Sequence, residues 1–345
     1  MTIAVTGATG FLGTALVNDL LQQKQAVRIL ARDAHKAQAQ FGESVEIVQG
    51  EIHQKEKLRQ LVAGAEIVYH LAGRLYHPST PAELYYQTHV EGTRAMLAAC
   101  AGETHLQRFV HCSTTGVHGV TGTKPTAEDG PIAPTNPYEA TKLEGERLAL
   151  KAWQENALPV SIIRPGLVYG PGDLHLSGLF KSIQKDLFRV IGGGRSYLHP
   201  VYIDDMIAAF RLCATRPEAI GRSYNIAGSH PVSFQHLARG IAEAQGKHLP
   251  TGSIPLWLAN LAADIFDLIP GVDKEKLPLT RSRVAFLTSS RIYDISRASA
   301  ELGYEPVIEL DEGLKRTANY YKTLRNGALA PTERFSSQQL WKPPN

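Results

Sequence analysis

Cysteine is scarce in this sequence: three in 345 residues, at Cys100, Cys112 and Cys213. Three thiols cannot form a disulfide framework, and theirs is not a metal-ligand spacing. Cys100 and Cys112 sit in apolar contexts and read as buried, inert thiols. The thirteen histidines contain no His-Glu-x-x-His or comparable cluster, so no metal site is expected. An excess of one charge is missing too. The formal net charge is +3, and the basic residues are scattered rather than gathered in a stripe, which argues against a nucleic-acid partner. No integral membrane segment is expected. The first strand begins at about Thr2, leaving no room for a signal peptide, and the expected compartment is the cytoplasm.

The 43% hydrophobic and 20% charged content are those of an ordinary soluble protein, long enough for a large core. Short apolar runs at Ile3–Val5, Val27–Leu30, Glu46–Val48, Ile67–His70, Phe109–Cys112 and Val160–Ile163 read as strands. Segments of helical period near 11–23, 55–63, 83–101 and 137–156 lie between them. That alternation implies βαβ units, and right-handed crossovers make them an α/β doubly wound parallel sheet of Rossmann type. Residues 1–165 are expected to form a dinucleotide-binding domain whose core continues into later segments. Beyond them Gly and Pro increase, and 166–325 read mainly as a smaller C-terminal substrate-binding lobe, with 326–345 as a tail.

The stretch GATGFLG, Gly7 to Gly13, follows a strand and opens a helix. Each glycine inside a helix costs about 1 kcal/mol against alanine, so three need a reason. A dinucleotide supplies one. The first permits a sharp turn, the second lets backbone approach a pyrophosphate, and the third packs helix on strand. The helix N-terminus offers unpaired N–H groups and a positive dipole end. A purely structural turn is the alternative.

NPYEATK, Asn136 to Lys142, places Tyr138 and Lys142 four apart on one helical face. Ionising a free tyrosine at pH 7 costs about 4 kcal/mol, and a cation at about 4 Å offsets a similar amount at an effective dielectric near 20. Tyr138 can thus serve as acid/base with help from Lys142; a surface tyrosine beside a solvated lysine is the plain alternative. FVHCSTTGVHG, Phe109 to Gly119, ends a strand in hydroxyls at the carboxyl edge, where ligands bind. Thr114 there could hydrogen-bond a substrate oxygen while Tyr138 moves its proton.

Gly7/Gly10/Gly13, VYHLAG (68–73), the Ser/Thr cluster, Tyr138/Lys142 and RPGLVYGP (164–171) occur in an order that resembles the extended short-chain dehydrogenase/reductases, over about residues 2–322. VYIDD (201–205), YNIAG (224–228), LGYEP (302–306) and EGL (312–314) fit the same pattern. LTRSRV (279–284) with YDISRA (293–298) looks most like the 3β-hydroxysteroid dehydrogenase and dihydroflavonol-4-reductase-like branch. The resemblance implies that Thr114, Tyr138 and Lys142 are catalytic, with Ser113 as a substitute for Thr114. Lys142 would lower the pKa of Tyr138 and hold the nicotinamide ribose. Cofactor contacts would come from Gly7, Thr9, Gly10, Phe11, Leu12, Gly13, Arg32, Glu51, Ile52, Leu71, Ala72, Gly73, Tyr138, Lys142, Pro165 and Val168. Hydride would pass between nicotinamide and a ketone or secondary alcohol of a hydrophobic small molecule. A nucleotide-sugar epimerase or dehydratase with tightly bound NAD is the alternative on the same fold, and a non-catalytic NAD(P)-binding regulator is a third. A homodimer is also implied. The sequence departs from the family in HVEGT, where His89 stands for an asparagine, and in Gly50-Glu51, where Glu51 stands for an aspartate.

VRILARD, Val27 to Asp33, puts Arg32 and Asp33 at the end of the second strand. An acidic residue there reads the ribose 2′-OH of NAD, and an arginine accommodates the 2′-phosphate of NADP. Resemblance to chains ending this strand in arginine favours NADP, otherwise NAD. SIPLWLANLAADIFDLIP, Ser253 to Pro270, carries a helical apolar stripe at 254, 257, 258, 261, 265, 268 and 269. A core or dimer-contact helix is the first reading, a lid over an apolar substrate the second. Tyr76 or Tyr86 is a candidate for the opposite wall of that pocket.

Overall fold

The computed structural model describes residues 1–174, 176–267 and 279–325. Positions 268 and 269 of the apolar stripe and the 326–345 tail lie outside them. Six strands alternate with helices as the apolar periodicity requires: β1 (Thr2–Thr6), β2 (Ala26–Ala31), β3 (Glu46–Gln49), β4 (Ile67–His70), β5 (Arg108–Cys112) and β6 (Val160–Pro165). A seventh, β7 (Ser223–Ile226), completes one parallel sheet of order β7-β6-β5-β4-β1-β2-β3. Every residue of β5 and β6 is buried, because helices cover both faces.

Strand alternation assigns the layers. Ile3, Val5, Ile29, Tyr69 and Val110 face α1 (Phe11–Gln22), α2 (Ala34–Phe41) and α8 (Ile203–Thr215). Ala4, Leu30, Val68, Phe109 and Ile162 face α3 (Lys55–Val62), α5 (Gly92–Cys100) and α6 (Pro137–Asn156). Residues beyond 165 therefore return to the sheet, through β7 and through α8, which lies beside α1.

The segment read as one helix over 83–101 is three pieces. A short α4 (Ala82–Tyr86) enters a π-helical turn at Gln87–Glu91 and leaves it as α5. A π-turn inserts one extra residue, a feature that clusters at functional sites.

The C-terminal half adds short strand pairs: 167–169 with 200–202, 197–198 with 232–233, and 190–191 with 253–254. Around them stand α7 (Ser177–Gln184), α9 (Phe234–Ala244), α10 (Leu256–Asp267), α11 (Arg281–Thr288) and α12 (Leu310–Arg325). Asp205 of the VYIDD segment accepts from the Val307 and Ile308 amides, and the buried Tyr304 hydroxyl donates to Ala227, so LGYEP is strapped to α8 and β7. In α10 the core reading of the apolar stripe is reversed. Ala259 and Ala263 are the buried face, while Trp257, Leu258, Leu261 and Ile265 are exposed. All three cysteines are free and buried. Among the described residues no helix is long and apolar enough to cross a membrane, and no group of His, Cys, Asp and Glu is placed to hold a metal.

Candidate active site

The three glycines of the β1–α1 turn do three different things. Gly7 has φ +71°, and a Cβ on it would sit 2.7 Å from the Leu71 carbonyl carbon in the loop after β4. Gly13 is the packing glycine: a Cβ would lie 2.1 Å from the Gly7 oxygen. Gly10 is exposed, and a methyl there would meet only that same oxygen, at 3.3 Å. Gly10 caps α1 without any side-chain hydrogen bond, so the first N–H groups of the helix open onto the turn. Such a turn can cradle an anion; Thr9 and Gly10 stand at its rim, with Phe11 and Leu12 half-buried behind it.

The other cofactor candidates ring the same carboxyl edge of the sheet. Arg32 is exposed at the end of β2, while the Asp33 carboxylate accepts from the Lys36 amide at 2.9 Å and caps α2. Arg28 is tied to the carbonyls of Gln60, Leu61 and Ala63 and to Glu46, so it is a structural residue. After β3, Glu51 is exposed, and Ile52 packs where a Gly92 side chain would stand. Leu71, Ala72 and Gly73 follow β4, and the Ala72 amide donates to Thr6 Oγ1 at 3.2 Å. Pro165 ends β6, and Val168 lies half-buried in the short strand beyond it.

Tyr138 occupies the first turn of α6. That turn is well determined: Pro137 opens it, Asn136 Oδ1 accepts from the Glu139 amide at 3.0 Å, and Glu139 reaches back to Thr135. Arg291, from the C-terminal half, pairs with Glu139 at 2.9 Å and fixes the same turn from outside. Burial pushes the Tyr138 phenol well up; a hydrogen bond with the Thr114 side chain pulls it back, while Glu139 and Tyr85 add to the rise. Lys142 is buried one turn on, its ammonium donating to the Cys112 carbonyl, and burial lowers its pKa. The ammonium is drawn toward the end of β5.

The hydroxyl cluster after β5 divides its labour. Ser113 is buried and donates to Glu146 at 2.6 Å, so it cannot substitute for Thr114. Thr115 donates to the Pro165 carbonyl. Thr114 accepts from the Gly116 amide, capping the next turn, and faces Tyr138. Beneath it Glu146 pairs with Arg164, whose other arm reaches the Glu128 carbonyl at 2.9 Å. Each charge of this buried pair is hydrogen-bonded, as burial demands.

Histidines crowd the same corner. His70, the last residue of β4, and His111, next to last in β5, lie 5.5 Å apart between ring centres with their planes tilted by 37°. His89, in the π-turn, stands edge-on to Tyr138 at 5.5 Å, and Tyr85 does so at 6.3 Å. Burial first, and the Lys142 charge second, push His70 down to about 3 and His89 to about 2. All three are neutral imidazoles at physiological pH.

The model of the NAD dependent epimerase/dehydratase family matches residues 3–227. The chain belongs to that family. Among curated relatives, the 3β-hydroxysteroid-dehydrogenase/decarboxylase isoform 1 of Arabidopsis thaliana is 32% identical, with 98% of this chain and 83% of the relative covered. The 4-hydroxy-2-methyl-3-oxo-4-farnesyl-3,4-dihydroquinoline-1-oxide ketoreductase of Stigmatella aurantiaca is 28% identical over 90% of this chain and 93% of its own length. The crystal structure of UDP-glucuronic acid 4-epimerase from Bacillus cereus, in complex with UDP-glucuronic acid and NAD, superposes with a TM-score of 0.75 at 26% identity, covering 94% of this chain and all of that one. The chain is an NAD(P)-dependent enzyme of the short-chain dehydrogenase/reductase type, an oxidoreductase by chemistry.

Within the family frame, sequence reasoning missed Tyr85. It offers Tyr76 or Tyr86 for the opposite wall of the pocket, yet Tyr85 is the buried one, its hydroxyl held by the His77 amide at 2.7 Å beside Tyr138. In a helix starting at 82, position 85 is four before His89 on its face, a spacing that could have found it. His70 and His111 gave a weaker signal: two polar residues at or next to the ends of fully buried strands.

Proposed function

We propose that this enzyme is an NADP(H)-dependent oxidoreductase that interconverts a ketone and a secondary alcohol on a hydrophobic small molecule. One observation carries the proposal: Tyr138 and Thr114 converge beside buried Lys142 at the carboxyl edge of the sheet, next to an open glycine cradle. The cradle fits a dinucleotide pyrophosphate, since Gly10 leaves a face that a side chain would fill. The cofactor, when bound, supplies hydride transfer at its nicotinamide. Tyr138 gives its phenolic proton to a carbonyl oxygen or takes one from an alcohol, and Thr114 holds that oxygen by a hydrogen bond. Lys142, on a flexible stem, orients the ribose and adds positive charge against the tyrosinate.

Hydrophobicity of the substrate is supported by two relatives named for a 3β-hydroxysteroid and a farnesylated quinoline oxide. Three arginines of the C-terminal half argue in the same direction. A nucleotide-sugar substrate needs cations for its diphosphate, yet Arg281, Arg291 and Arg297 hold Asp264, Glu139 and Glu128.

Purified protein supplied with NADPH and a panel of apolar ketones should oxidise the cofactor with multiple turnovers. Tyr138→Phe should lower the single-turnover rate by about 10²–10⁴-fold with cofactor affinity nearly unchanged. Retained NAD with no net turnover, and interconversion of UDP-sugars, would instead make the chain an epimerase.

A further inference from the structure

The loop after β4 presents two backbone amides to side chains. Each begins a chain of hydrogen bonds whose direction is fixed. The first starts at the Ala72 amide, which donates to Thr6 Oγ1 at 3.2 Å. Thr6 Oγ1 lies 2.8 Å from His70 Nδ1, and His70 Nε2 lies 3.0 Å from Thr93 Oγ1. Thr93 gives its only proton to the His89 carbonyl at 2.6 Å, so His70 must donate from Nε2 and accept at Nδ1.

The second chain starts at the Arg74 amide, which donates to His89 Nε2 at 3.0 Å. An imidazole nitrogen that accepts carries no proton, so the His89 proton is on Nδ1. Nδ1 stands 2.9 Å from Thr141 Oγ1, and Thr141 passes its own proton to the Pro137 carbonyl at 2.8 Å. Pro137 precedes Tyr138 in the first turn of α6. The π-turn makes this reach possible: it presses the His89 carbonyl so close to α6 that a Cβ on Gly145 would lie 2.5 Å from it.

We infer that His89 is a positioning residue which, as a neutral imidazole protonated on Nδ1, clamps the 71–74 cofactor loop to the turn that carries Tyr138. Its ring edge packs on the Tyr138 ring, so the clamp sets both the height and the tilt of the phenol. The inference rests on the reading of Tyr138 as the acid/base. The histidine moves no proton itself, because its Nδ1 proton and its Nε2 lone pair are both already engaged.

Two near-isosteric substitutions separate the ends of the clamp. Asparagine places an amide N–H where Nδ1–H stands and cannot reach Arg74; glutamine places an oxygen near Nε2 and leaves Thr141 without its donor. His89→Gln should lower kcat by about tenfold to 10²-fold, the scale of a 1 Å misplacement, with cofactor Kd within about twofold. His89→Asn should weaken cofactor binding by about threefold to tenfold, the loss of one hydrogen bond, with kcat at saturation within about twofold. In the unsubstituted protein, ¹⁵N-histidine NMR should show an Nδ1–H tautomer with a bare Nε2, and that signal should vanish in both variants.

An Nε2–H tautomer for His89, or a parallel fall of kcat and cofactor affinity in both variants, would overturn the clamp. The NMR measurement holds even if a variant fails to fold. If Tyr138→Phe keeps its rate, the acid/base reading falls while the tautomer stands; if it loses its rate but His89→Gln does not, only the clamp falls.

Discussion

Arg32 and Asp33 show how one side chain is freed by the engagement of the next. Asp33 uses an oxygen to cap α2, whereas Arg32 is exposed and holds no ion pair among the described residues. A charge-assisted hydrogen bond to a 2′-phosphate is worth about 1.5–3 kcal/mol, on the order of ten- to 150-fold. NADPH should therefore exceed NADH by at least about tenfold in kcat/KM, and Arg32→Ala should erase most of that gap. A wild-type preference for NADH would defeat the assignment. Survival of the preference in Arg32→Ala would move the phosphate to Lys36, since Arg28 is committed to the α3 carbonyls. At this scale the sequence was legible where a residue type has few jobs: Tyr138, Lys142 and the glycines. Hydroxyls were not. Ser113, Thr114 and Thr115 are equivalent in a string, and only the positions of Glu146, Tyr138 and Pro165 separate them.

Among elements, β1 to β6 declared themselves because both faces of the sheet are covered and their apolar runs are unbroken. The 83–101 segment hid its π-turn, since one inserted residue changes the hydrophobic period too little to notice over so short a stretch. α10 misled for another reason: periodicity reports that a stripe exists, not which side is buried, and here the alanines face inward. The glycine turn allows a sharper test of element-level reasoning. Gly13→Ala forces a methyl to 2.1 Å from the Gly7 oxygen, in a place with backbone on every side, so overpacking should cost about 1–3 kcal/mol or more and lower the Tm. Gly10→Ala meets nothing nearer than 3.3 Å and lies at φ −84°, which alanine accepts. It should change stability by about 1 kcal/mol at most, an alanine cap being poorer, while weakening cofactor binding by filling the cradle. Thermal melts and cofactor titrations on the pair decide it: equal Tm losses would mean that Gly10 is structural as well.

The whole molecule carries an acid sensitivity set by its buried histidines. His70, His89 and His111 are neutral when folded, all held low by burial and by Lys142, but titrate near 6.5 when unfolded. Below pH 6.5 the unfolded chain therefore binds more protons, and folding stability falls with pH, by up to about 1.4 kcal/mol per unit for each histidine, until the folded groups titrate near 3 and 2. Asp204, raised to about 6 by burial, acts the other way between pH 6 and 4, and raised Asp205, Glu128 and Asp19 assist it. A single variant isolates the histidine share. Neither ring nitrogen of His111 has a hydrogen-bond partner among the described residues, and Lys142, His70 and His89 all oppose its charge. Replacing an unpartnered buried polar ring with an apolar side chain of similar size removes a penalty of about 1–3 kcal/mol. His111→Leu should thus be more stable than wild type at pH 7. Urea unfolding between pH 5.5 and 4 should show its stability falling less steeply than wild type, by up to about 1.4 kcal/mol per pH unit. Parallel slopes would mean that His111 is protonated in the fold over this range.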